Sequence, residues 1–364
     1  MRIGIDARLY GTKHRGLGRY VKVLVEELVK TDTDNQYVLF LNEDNYDESS
    51  LINSSAKKVL LPASWYSFKE QLLGPKIIAK EKCDLVHFPH FNVPIFYRGK
   101  FIVTIHDLII NHFPDSRATT LPKAYYRLKL WGYKIIVRQA IKKAVKIIVP
   151  SRFVKEDILT HYRVEPEKIT VIYEGYFLGQ EHLPAQIDRF NIQKPFLLYV
   201  GAAYPHKNLE SLIRVFKKLN RSKEFQLALV GSTDYFYDRL KKTSADVPGI
   251  IFTGYVSEGE LSALYKRAAA FVFPSLYEGF GLPPVEAQAH DLPVASSNRG
   301  SLPEILGDSA LFFNPQDEQE MLNQFKKIMT DGDLRRRLIK AGRENIKRFG
   351  WQKMAGQIKR LYLS

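Results

Sequence analysis

A chain of 364 residues that is 45% hydrophobic and 12% aromatic can bury two cores of ordinary domain size, which excludes a disordered protein. Its single cysteine, Cys83, excludes an intrachain disulfide, and no stretch approaches the ~18 consecutive apolar residues of a membrane-spanning helix. A formal net charge of +15 leaves nucleic acid, anionic lipid and phosphorylated ligands open as partners.

The first half of the chain alternates short apolar runs with amphipathic segments. A strand predicted at 2–6 precedes a glycine-containing loop over 11–20 and a helix over about 19–30. Further strands are predicted at 37–41, 58–62, 85–88 and 101–106. Near-continuous apolar strands separated by helices indicate a parallel sheet that is covered on both faces.

The same pattern restarts after a weakly periodic segment at 176–194. Strands are predicted at 196–201, 225–231, 249–254, 270–275 and 292–297, with helices at about 208–219 and at 334–349. The predicted fold class is α/β, with two doubly wound, Rossmann-like domains over 1–180 and 181–348. The last segment, 349–364, is expected to pack back on the first domain as a helix. Ligands of such sheets bind beyond the carboxyl ends of the strands.

Residues 274–286 read PSLYEGFGLPPVE and carry the clearest functional pattern. A predicted strand ends at Ser275, a glycine-rich turn follows, and the prolines at 283–284 favour a helix start, where a missing N–H costs little. Gly279 and Gly281 leave the backbone open to a close ligand. The free N–H groups of a helix start suit a diphosphate.

The two carboxylates of this motif are expected to contact different parts of the ligand because of their positions. Glu286 is predicted in the first helical turn, where it accepts hydrogen bonds from both ribose hydroxyls. Glu278 is predicted in the preceding loop, on the sugar side of the phosphates. The alternative is that Glu286 complements the helix dipole and that Glu278 is an ordinary loop carboxylate.

With these motifs the chain resembles the family 4 glycosyltransferases of the GT-B fold, a retaining group that includes bacterial mannosyltransferases. The resemblance covers essentially the whole chain and rests on the glutamate motif and on RGLGRY, HFPHFNVP, VTIHDL, VPSRFVKEDI, YVGAAYPHKN and SSNRGSLPEILGDSALFFNP. It implies two Rossmann-like domains that face each other across a cleft. In that family the first glutamate contacts donor-sugar hydroxyls and the second binds ribose, and these roles pass to Glu278 and Glu286.

The resemblance implies further donor-binding residues. Main-chain groups of the motif are expected to contact sugar and phosphate, and they belong to Gly279, Phe280, Gly281 and Leu282. Lys207 stands where the family has a phosphate-binding lysine, and its ammonium beside helix N–H groups would neutralise the leaving diphosphate. Gly16, in the first strand-to-helix turn, and Val256, where relatives contact the base, complete the predicted donor site.

The chain departs from the family beside Lys207. Ala202 and His206 stand where many relatives have arginine, so phosphate binding is expected to depend more on Lys207, with His206 as a weak substitute. The alternative for Lys207 is a solvated lysine without a role in catalysis.

The predicted acceptor site lies in the first half of the chain. His106 and Asp107 follow the run at 101–106, and the resemblance places this histidine beside donor sugar and acceptor. A buried structural histidine is the alternative for His106. His90 is expected on a loop that shapes the acceptor site, because a metal pair with His87 lacks a third ligand.

A basic segment spans residues 117–155. Eleven Lys or Arg and no Asp or Glu fall between 116 and 155, and residues 123–146 have a helical pattern in which aromatic side chains stand among the cations. Such a helix suits an anionic membrane surface. The alternative is a core-packed helix with a solvated basic face. Nucleic acid is not an expected partner, because no recognisable binding module is present.

The predicted enzyme is a retaining, metal-independent glycosyltransferase with His106, Lys207 and Glu278 as catalytic residues. It moves a hexose from a nucleotide-diphosphate sugar, with GDP-mannose favoured, to a glycan or lipid-linked acceptor in surface polysaccharide synthesis. The donor is a substrate, and no separate cofactor or metal is expected. The expected location is the cytoplasm or the inner face of the cell membrane, as a peripheral protein. The alternatives are an epimerase or phosphorylase of the same fold, or a non-catalytic lipid- or glycan-binding protein.

Overall fold

The computed structural model describes residues 1–11, 15–47, 56–114, 119, 121–178, 187–193, 195–222 and 224–363, without the side chains of Arg15 and Lys123. The chain divides into two compact units, a first unit of Met1–Gly175 with Gly350–Ser364 and a second unit of Tyr176–Phe349. The boundary predicted between 180 and 181 lies outside the described residues, as do 12–14 of the glycine-containing loop and 117, 118 and 120 of the basic segment.

The first unit is built on one parallel sheet. Its strands are β1 (Arg2–Asp6), β2 (Gln36–Leu41), β3 (Ala56–Leu60), β4 (Leu85–Phe88), β5 (Phe101–Thr104), β6 (Lys146–Val149) and β7 (Ile169–Val171). They lie in the order β3-β2-β1-β4-β5-β6-β7. The helices between them are α1 (Arg15–Thr31), α2 (Phe68–Lys80), α3 (Ile109–His112), α4 (Lys123–Lys143) and α5 (Arg152–His161).

Both faces of this sheet are covered. In β2, Val38 and Phe40 pack in the same buried cluster as residues of α4 and α5, whereas Tyr37 and Leu39 pack with residues of α1 on the other face. Alternate residues of a strand point to opposite faces, so a strand covered on both sides is apolar at nearly every position. This explains the near-continuous apolar runs of the sequence.

The second unit repeats the design, and its described residues form six parallel strands. They are β8 (Phe196–Val200), β9 (Gln226–Val230), β10 (Ile250–Gly254), β11 (Ala270–Phe273), β12 (Val294–Ser297) and β13 (Ala310–Phe313), in the order β10-β9-β8-β11-β12-β13. The helices are α6 (Leu209–Leu219), α7 (Tyr235–Thr243), α8 (Glu258–Arg267), α9 (Leu282–Ala289), α10 (Leu302–Leu306), α11 (Glu318–Thr330) and α12 (Gly332–Asn345). Short 3-10 turns lie at Pro166–Lys168 in the first unit and at Asp188–Phe190, Pro205–Lys207, Gly307–Ser309 and Ile346–Arg348 in the second. The predicted α/β class with two doubly wound sheets is confirmed.

The last helix, α13 (Trp351–Tyr362), belongs to the first unit. Its buried face joins the cluster that contains the apolar side of α1. Trp351 also covers Gly175 so closely that a Cβ at this glycine would lie 2.5 Å from the indole. A terminal helix is ordered when it docks on the domain, and the packing of α13 on α1 and Gly175 provides such docking.

Each sheet has one place where the strand order reverses. β1 lies between β2 and β4 in the first unit, and β8 lies between β9 and β11 in the second. The reversal lies between β1 and β4 in the first sheet and between β8 and β11 in the second. The loops that follow two such neighbouring strands run in opposite directions, which opens a crevice where open α/β sheets bind ligands. The loops after β8 and β11 contain Lys207 and the glutamate motif.

The observed boundaries differ from the predicted ones by a few residues. β5 ends at Thr104 rather than at 106, because its pairing with β6 stops at Thr104 opposite Ile148. His106 therefore lies in the loop beyond the strand. The helix predicted over 334–349 ends at Asn345 and continues only as a 3-10 turn.

Candidate active site

The glutamate motif forms the loop between β11 and α9 in the second unit. Gly281 precedes the helix with a φ of 95°, a left-handed conformation that favours glycine. A Cβ at this position would also lie 2.8 Å from the Leu302 side chain. Pro283 and Pro284 occupy early positions of α9, so the predicted proline start is confirmed.

Lys207 and Glu278 form an ion pair across the strand-order reversal of the second unit. Nζ of Lys207 donates to Oε1 of Glu278 at 2.6 Å. The two side chains are only 16% and 10% exposed, and the ammonium also lies 5.8 Å from the centre of the Phe273 ring. A largely buried cation and carboxylate thus meet where a ligand of this sheet is expected.

Main-chain contacts hold the loops after β8 and β11 together. The main-chain oxygen of His206 accepts from the N–H of Leu276 at 2.7 Å. Gly300, with a φ of 63°, packs directly on the motif, since a Cβ there would lie 2.7 Å from the nitrogen of Glu278. Ser301 donates through its N–H to the main-chain oxygen of Glu278 at 3.2 Å and through its hydroxyl to the main-chain oxygen of Phe280 at 3.0 Å. The main chain around Glu278 is therefore preorganised.

Glu286 lies deeper in α9 than the sequence predicted. The helix begins at Leu282, so Glu286 is its fifth residue, and the first turn contains no acidic side chain. The expectation of a first-turn position is wrong because the helix starts at Leu282. Glu286 is buried, and the hydroxyl of Tyr265 donates to its Oε2 at 3.2 Å. Tyr265 itself stacks on His290 with ring centres 5.0 Å apart.

His206 does not supply the weak positive charge expected from the sequence. Burial, followed by the charge of Lys207, lowers the pKa of His206 to about 3, so the imidazole is neutral near pH 7. At the other position of departure from the family, the main-chain oxygen of Ala202 accepts from the hydroxyl of Tyr199 at 2.8 Å. Lys207 is thus the cation that these two loops place beside Glu278. Val256 lies between β10 and Ser257, the N-cap of α8, and is partly exposed.

In the first unit, Gly16 and Gly18 lie inside the first turn of α1. The prediction of a loop extending to residue 20 is wrong. Glycine disfavours a helix by only ~1 kcal/mol, and the apolar face of α1, including Tyr20, Val21 and Leu24, is buried against the sheet. Gly16 is exposed at a helix start, where unpaired N–H groups favour an anion.

A residue that the sequence did not reveal, Glu174, favours the protonated form of His106. Its Nδ1 donates to Oε1 of Glu174 at 2.9 Å, and its Nε2 donates to the Pro89 oxygen at 3.0 Å. Burial lowers the pKa of His106, but the hydrogen bond and charge of Glu174 outweigh it, so the pKa lies above its ordinary value. With both nitrogens engaged, His106 contacts a ligand only after Nε2 leaves Pro89.

Glu174→Gln is expected to lower the pKa of His106, because the carboxylate that favours the imidazolium is removed. A raised folded-state pKa contributes stability below about pH 6.5, the unfolded value, and this contribution is lost as the pH rises through the folded value. The variant should lack this pH-dependent contribution. NMR titration of the His106 ring, assigned with His106→Gln, measures the change. An unchanged titration in Glu174→Gln would refute the pairing.

The other predicted acceptor residues lie near His106. Oδ1 of Asp107 accepts from the N–H of Ile109, the first residue of α3, at 3.0 Å. His90 lies directly after Pro89 on the same loop. It packs edge-on against Trp65 with ring centres 5.7 Å apart. Burial, then the charges of His106 and Arg8, lower the pKa of His90 to about 3, so it is a neutral side chain.

His87 is part of the core and does not form a metal pair with His90. Its Nδ1 lies 2.6 Å from the hydroxyl of Tyr362, and its Nε2 lies 2.8 Å from that of Thr104. Both ring nitrogens are thus used in joining α13 to β4 and β5. Burial, with the charge of His106 second, lowers the pKa of His87 to about 3.

A buried charge network, which no sequence pattern indicated, supports the same edge of the first sheet. The guanidinium of Arg8 donates to Oδ1 of Asp6 at 2.8 Å and to Oε1 of Glu70 at 2.6 Å. It also lies 4.3 Å from the centre of the Trp65 ring. Asn92 donates to the same Glu70 oxygen at 2.7 Å. The network joins the loop after β1 to α2 and to the loop that carries His90.

Two family models match the chain, one for each unit. The model described as Glycosyltransferase Family 4 matches residues 14–178, and the model described as Glycosyl transferases group 1 matches residues 185–345. Together they cover every strand of the two sheets except β1, which precedes residue 14.

Individual relatives and solved structures agree with these matches. The O-antigen chain mannosyltransferase RfbU of Salmonella typhimurium is 32% identical over 280 residues, which are 76% of this chain and 73% of that protein. The O-antigen chain mannosyltransferase B of Escherichia coli is 24% identical in a match that covers 94% of this chain and 94% of that protein. The crystal structure of Anabaena HepE in complex with UDP and glucose superposes with a TM-score of 0.76 at 16% identity, and the match covers 99% of this chain and 98% of that one.

Proposed function

Since the chain belongs to the family 4 glycosyltransferases of the GT-B fold, we propose that it transfers a hexose, with mannose favoured, from a nucleotide-diphosphate sugar to a glycan or lipid-linked acceptor. Glycosyl transfer itself follows from the family. The observation that supports the proposed site is the largely buried pair of Lys207 and Glu278 at the strand-order reversal of the second unit.

In the proposed reaction, the bond between the anomeric carbon and the diphosphate oxygen breaks as an acceptor hydroxyl attacks that carbon. The acceptor enters on the face that the diphosphate leaves, and a phosphate oxygen takes its proton, which retains the anomeric configuration. Lys207 turns from Glu278 to the diphosphate and stabilises the negative charge that develops there. Glu278 then accepts hydrogen bonds from sugar hydroxyls, and Glu286 accepts them from ribose.

The predicted acceptor side contributes a histidine whose two ring nitrogens both face oxygen atoms. His106 is paired with Glu174 beside Asp107 and the loop of His90. Because Glu174 favours the protonated ring, we propose that His106 orients a sugar or acceptor hydroxyl by donating through Nε2 and does not act as the base. Metal independence remains part of this proposal, and chelator-treated enzyme should retain transfer activity.

GDP-mannose is the proposed donor because two of the relatives are named mannosyltransferases. A thermal-shift screen across GDP-, UDP- and dTDP-sugars tests this choice, since a ligand that binds the folded state raises its stability by about 2.7 kcal/mol at 100 times Kd. The largest shift is expected with GDP-mannose. A larger shift with a UDP- or dTDP-sugar would overturn the choice of base and leave the reaction class intact.

Glu286→Ala is expected to weaken nucleoside diphosphate binding about 100-fold or more, because two charge-assisted hydrogen bonds of about 1.5–3 kcal/mol each are lost. Tyr265→Phe removes only the hydroxyl that orients Glu286 and should weaken binding less than about tenfold. Calorimetry with GDP and UDP measures both effects. Glu344→Ala, at an exposed carboxylate of α12, is the control and should bind as the wild type does.

Product analysis separates the alternatives. An epimerase converts the donor without an acceptor, and a phosphorylase requires inorganic phosphate, whereas the proposed enzyme forms glycoside only when an acceptor is present. A non-catalytic glycan- or lipid-binding protein would show no nucleoside diphosphate binding in calorimetry. The O-antigen names of the relatives favour a growing surface glycan as the acceptor.

We further propose that α4 contacts an anionic membrane surface. Its second half packs into the core through Tyr133, Val137 and Ile141. In its first half, Leu128 and Trp131 are 61% and 65% exposed among exposed cations. The core-packed interpretation holds for the second half of α4, and the proposed membrane contact concerns the first half. In the described part of the chain, no helix is both long and apolar enough to cross a bilayer.

Arg127→Gln with Lys129→Gln, two exposed cations of the first half, is expected to reduce binding to vesicles of phosphatidylglycerol and phosphatidylcholine about 30-fold, since each cation at the surface contributes about 1 kcal/mol. Added salt should reduce wild-type binding in the same direction. Lys241→Gln with Lys242→Gln, on α7 of the second unit, makes the same change in charge and should bind as the wild type does. Equal losses in both pairs would show that net charge alone attracts the protein to the vesicles.

A further inference from the structure

Three side chains of the first unit lie close together away from the predicted acceptor and donor residues. His112 is the last residue of α3, and Asp157 and His161 stand one turn apart on α5. Nε2 of His112 lies 2.8 Å and 3.0 Å from the two carboxylate oxygens of Asp157. Nδ1 of His161 lies 3.1 Å from Oδ1 of Asp157. One possible ligand atom from each residue lies within 4.8 Å of the other two.

We propose that His112, Asp157 and His161 bind one divalent transition metal ion, with Zn²⁺ as the best match. Imidazole nitrogen and carboxylate oxygen bind Zn²⁺ at about 2.0–2.2 Å, which places neighbouring ligands of a tetrahedral ion about 3.3 Å apart. The two shortest separations here must open by only a few tenths of an ångström. Mg²⁺ and Ca²⁺ prefer oxygen ligands, so two imidazoles disfavour them.

The exposure of the three groups fits an ion that is bound from the solvent side. Asp157 is 8% exposed, whereas the His112 and His161 side chains are 32% and 37% exposed. The carboxylate is therefore the most deeply buried of the three ligands. Three protein ligands leave at least one position for water, as in zinc sites that are not closed by a fourth side chain.

The metal-free hydrogen bonds arrange the same atoms in advance. Asp157 accepts from the His112 ring, and Nδ1 of His161 also lies 2.9 Å from the main-chain oxygen of Asp157. When Nδ1 of His161 binds the ion, this main-chain hydrogen bond is exchanged for the metal bond. The remaining ring proton then sits on Nε2. Each histidine thus binds as a neutral imidazole through one nitrogen, the form that metal ligation requires.

The ion would fasten α3 to α5. Asp107 accepts from the N–H of Ile109, the first residue of α3, so the bridged segment begins directly after His106. Metal binding is therefore expected to steady the loop that carries the predicted acceptor residues. The inference concerns binding and stability, and it holds whether or not the proposed transfer reaction is correct.

The test uses the full chain without a histidine tag, stripped of metal by a chelator that is then removed. Titration with Co²⁺ should produce visible d–d absorption that saturates at one ion per chain, and Zn²⁺ should displace it. Zn²⁺ should also raise the thermal unfolding temperature, because it binds the folded state. Asp157→Asn and His161→Gln should each weaken binding at least as much as the ~10–100-fold loss caused by removing outer partners of metal ligands.

Glu156→Gln is the matched control, since this exposed carboxylate lies next to Asp157 on the same helix. It should bind Co²⁺ and Zn²⁺ as the wild type does. If Asp157→Asn does not fold, His161→Gln decides, because it changes a partly exposed side chain in the last turn of α5. Absence of saturable binding by the wild type, or wild-type affinity in His161→Gln, overturns the proposed site.

Discussion

Lys207→Ala is expected to slow sugar transfer about 10²–10³-fold, the effect of removing a group that stabilises developing negative charge, about 2.7–4 kcal/mol. The ammonium stands 2.6 Å from Glu278 between the loops after β8 and β11. Because the diphosphate gains charge as its bond to the sugar breaks, the loss should fall more on kcat than on KM. Steady-state kinetics with the donor identified by the nucleotide screen measures it.

Two controls separate catalysis from a structural role of this ion pair. Lys217→Ala removes an exposed lysine of α6 and should leave transfer unchanged. In Lys207→Ala the carboxylate of Glu278 loses its partner, so the variant should also be less stable. Combining it with Glu278→Gln should recover stability and leave transfer slow. Recovery of activity in the double variant, or full activity in Lys207→Ala, would show that Lys207 only neutralises Glu278.

Arg8→Met is expected to lower the free energy of unfolding by about 3–5 kcal/mol, the usual result when one partner of a buried ion pair is removed. Arg8 is 1% exposed, and its guanidinium contacts Asp6 and Glu70. The variant leaves both carboxylates buried without the cation. Denaturant unfolding followed by circular dichroism measures the loss. Arg336→Met, at an exposed pair with Asp333, should change the free energy by less than about 1 kcal/mol.

The loss in Arg8→Met should depend on pH. Burial raises the pKa of Glu70, and the charge of Arg8 opposes that rise. Without Arg8 the folded state binds a proton more readily than the unfolded chain does, so its stability falls as the pH increases through the folded-state value. The deficit relative to wild type should therefore be smaller near pH 5 than near pH 8. A deficit that is constant over this range would mean that lost packing against Trp65, not charge, causes it.

Some features of the site followed from local sequence because local rules control them. Gly281 and the two prolines after it specify where a strand turns into a helix, and this pattern placed Glu278 before α9 correctly. Glu286 was placed in the first turn, whereas it is the fifth residue of the helix, because the helix starts at Leu282, one residue before the prolines. Gly16 and Gly18 were assigned to a loop, because glycine's low helix propensity concealed the burial of the rest of α1.

The partners of the predicted residues did not follow from sequence. Glu174 lies 68 positions from His106, and Tyr265 lies 21 positions from Glu286. The position of Glu174 just after β7 was the available sign that its carboxylate could reach the site. Many carboxylates lie at strand ends, so this sign alone did not identify Glu174 as the partner of His106. Arg8 similarly meets Glu70 from 62 positions away. Such pairs depend on which strands become neighbours.

The amino-acid sequence by itself determined the two α/β units, the glutamate motif and the family, because apolar periodicity and turn residues act over a few positions. Only the tertiary structure decided the charge states and contacts within the site. It paired Lys207 with Glu278, raised the pKa of His106 beside Glu174, made His206 neutral, and brought His112 to α5. The physical reason is that burial and neighbouring charge set the ionisation of a side chain, and both arise only when distant segments pack together.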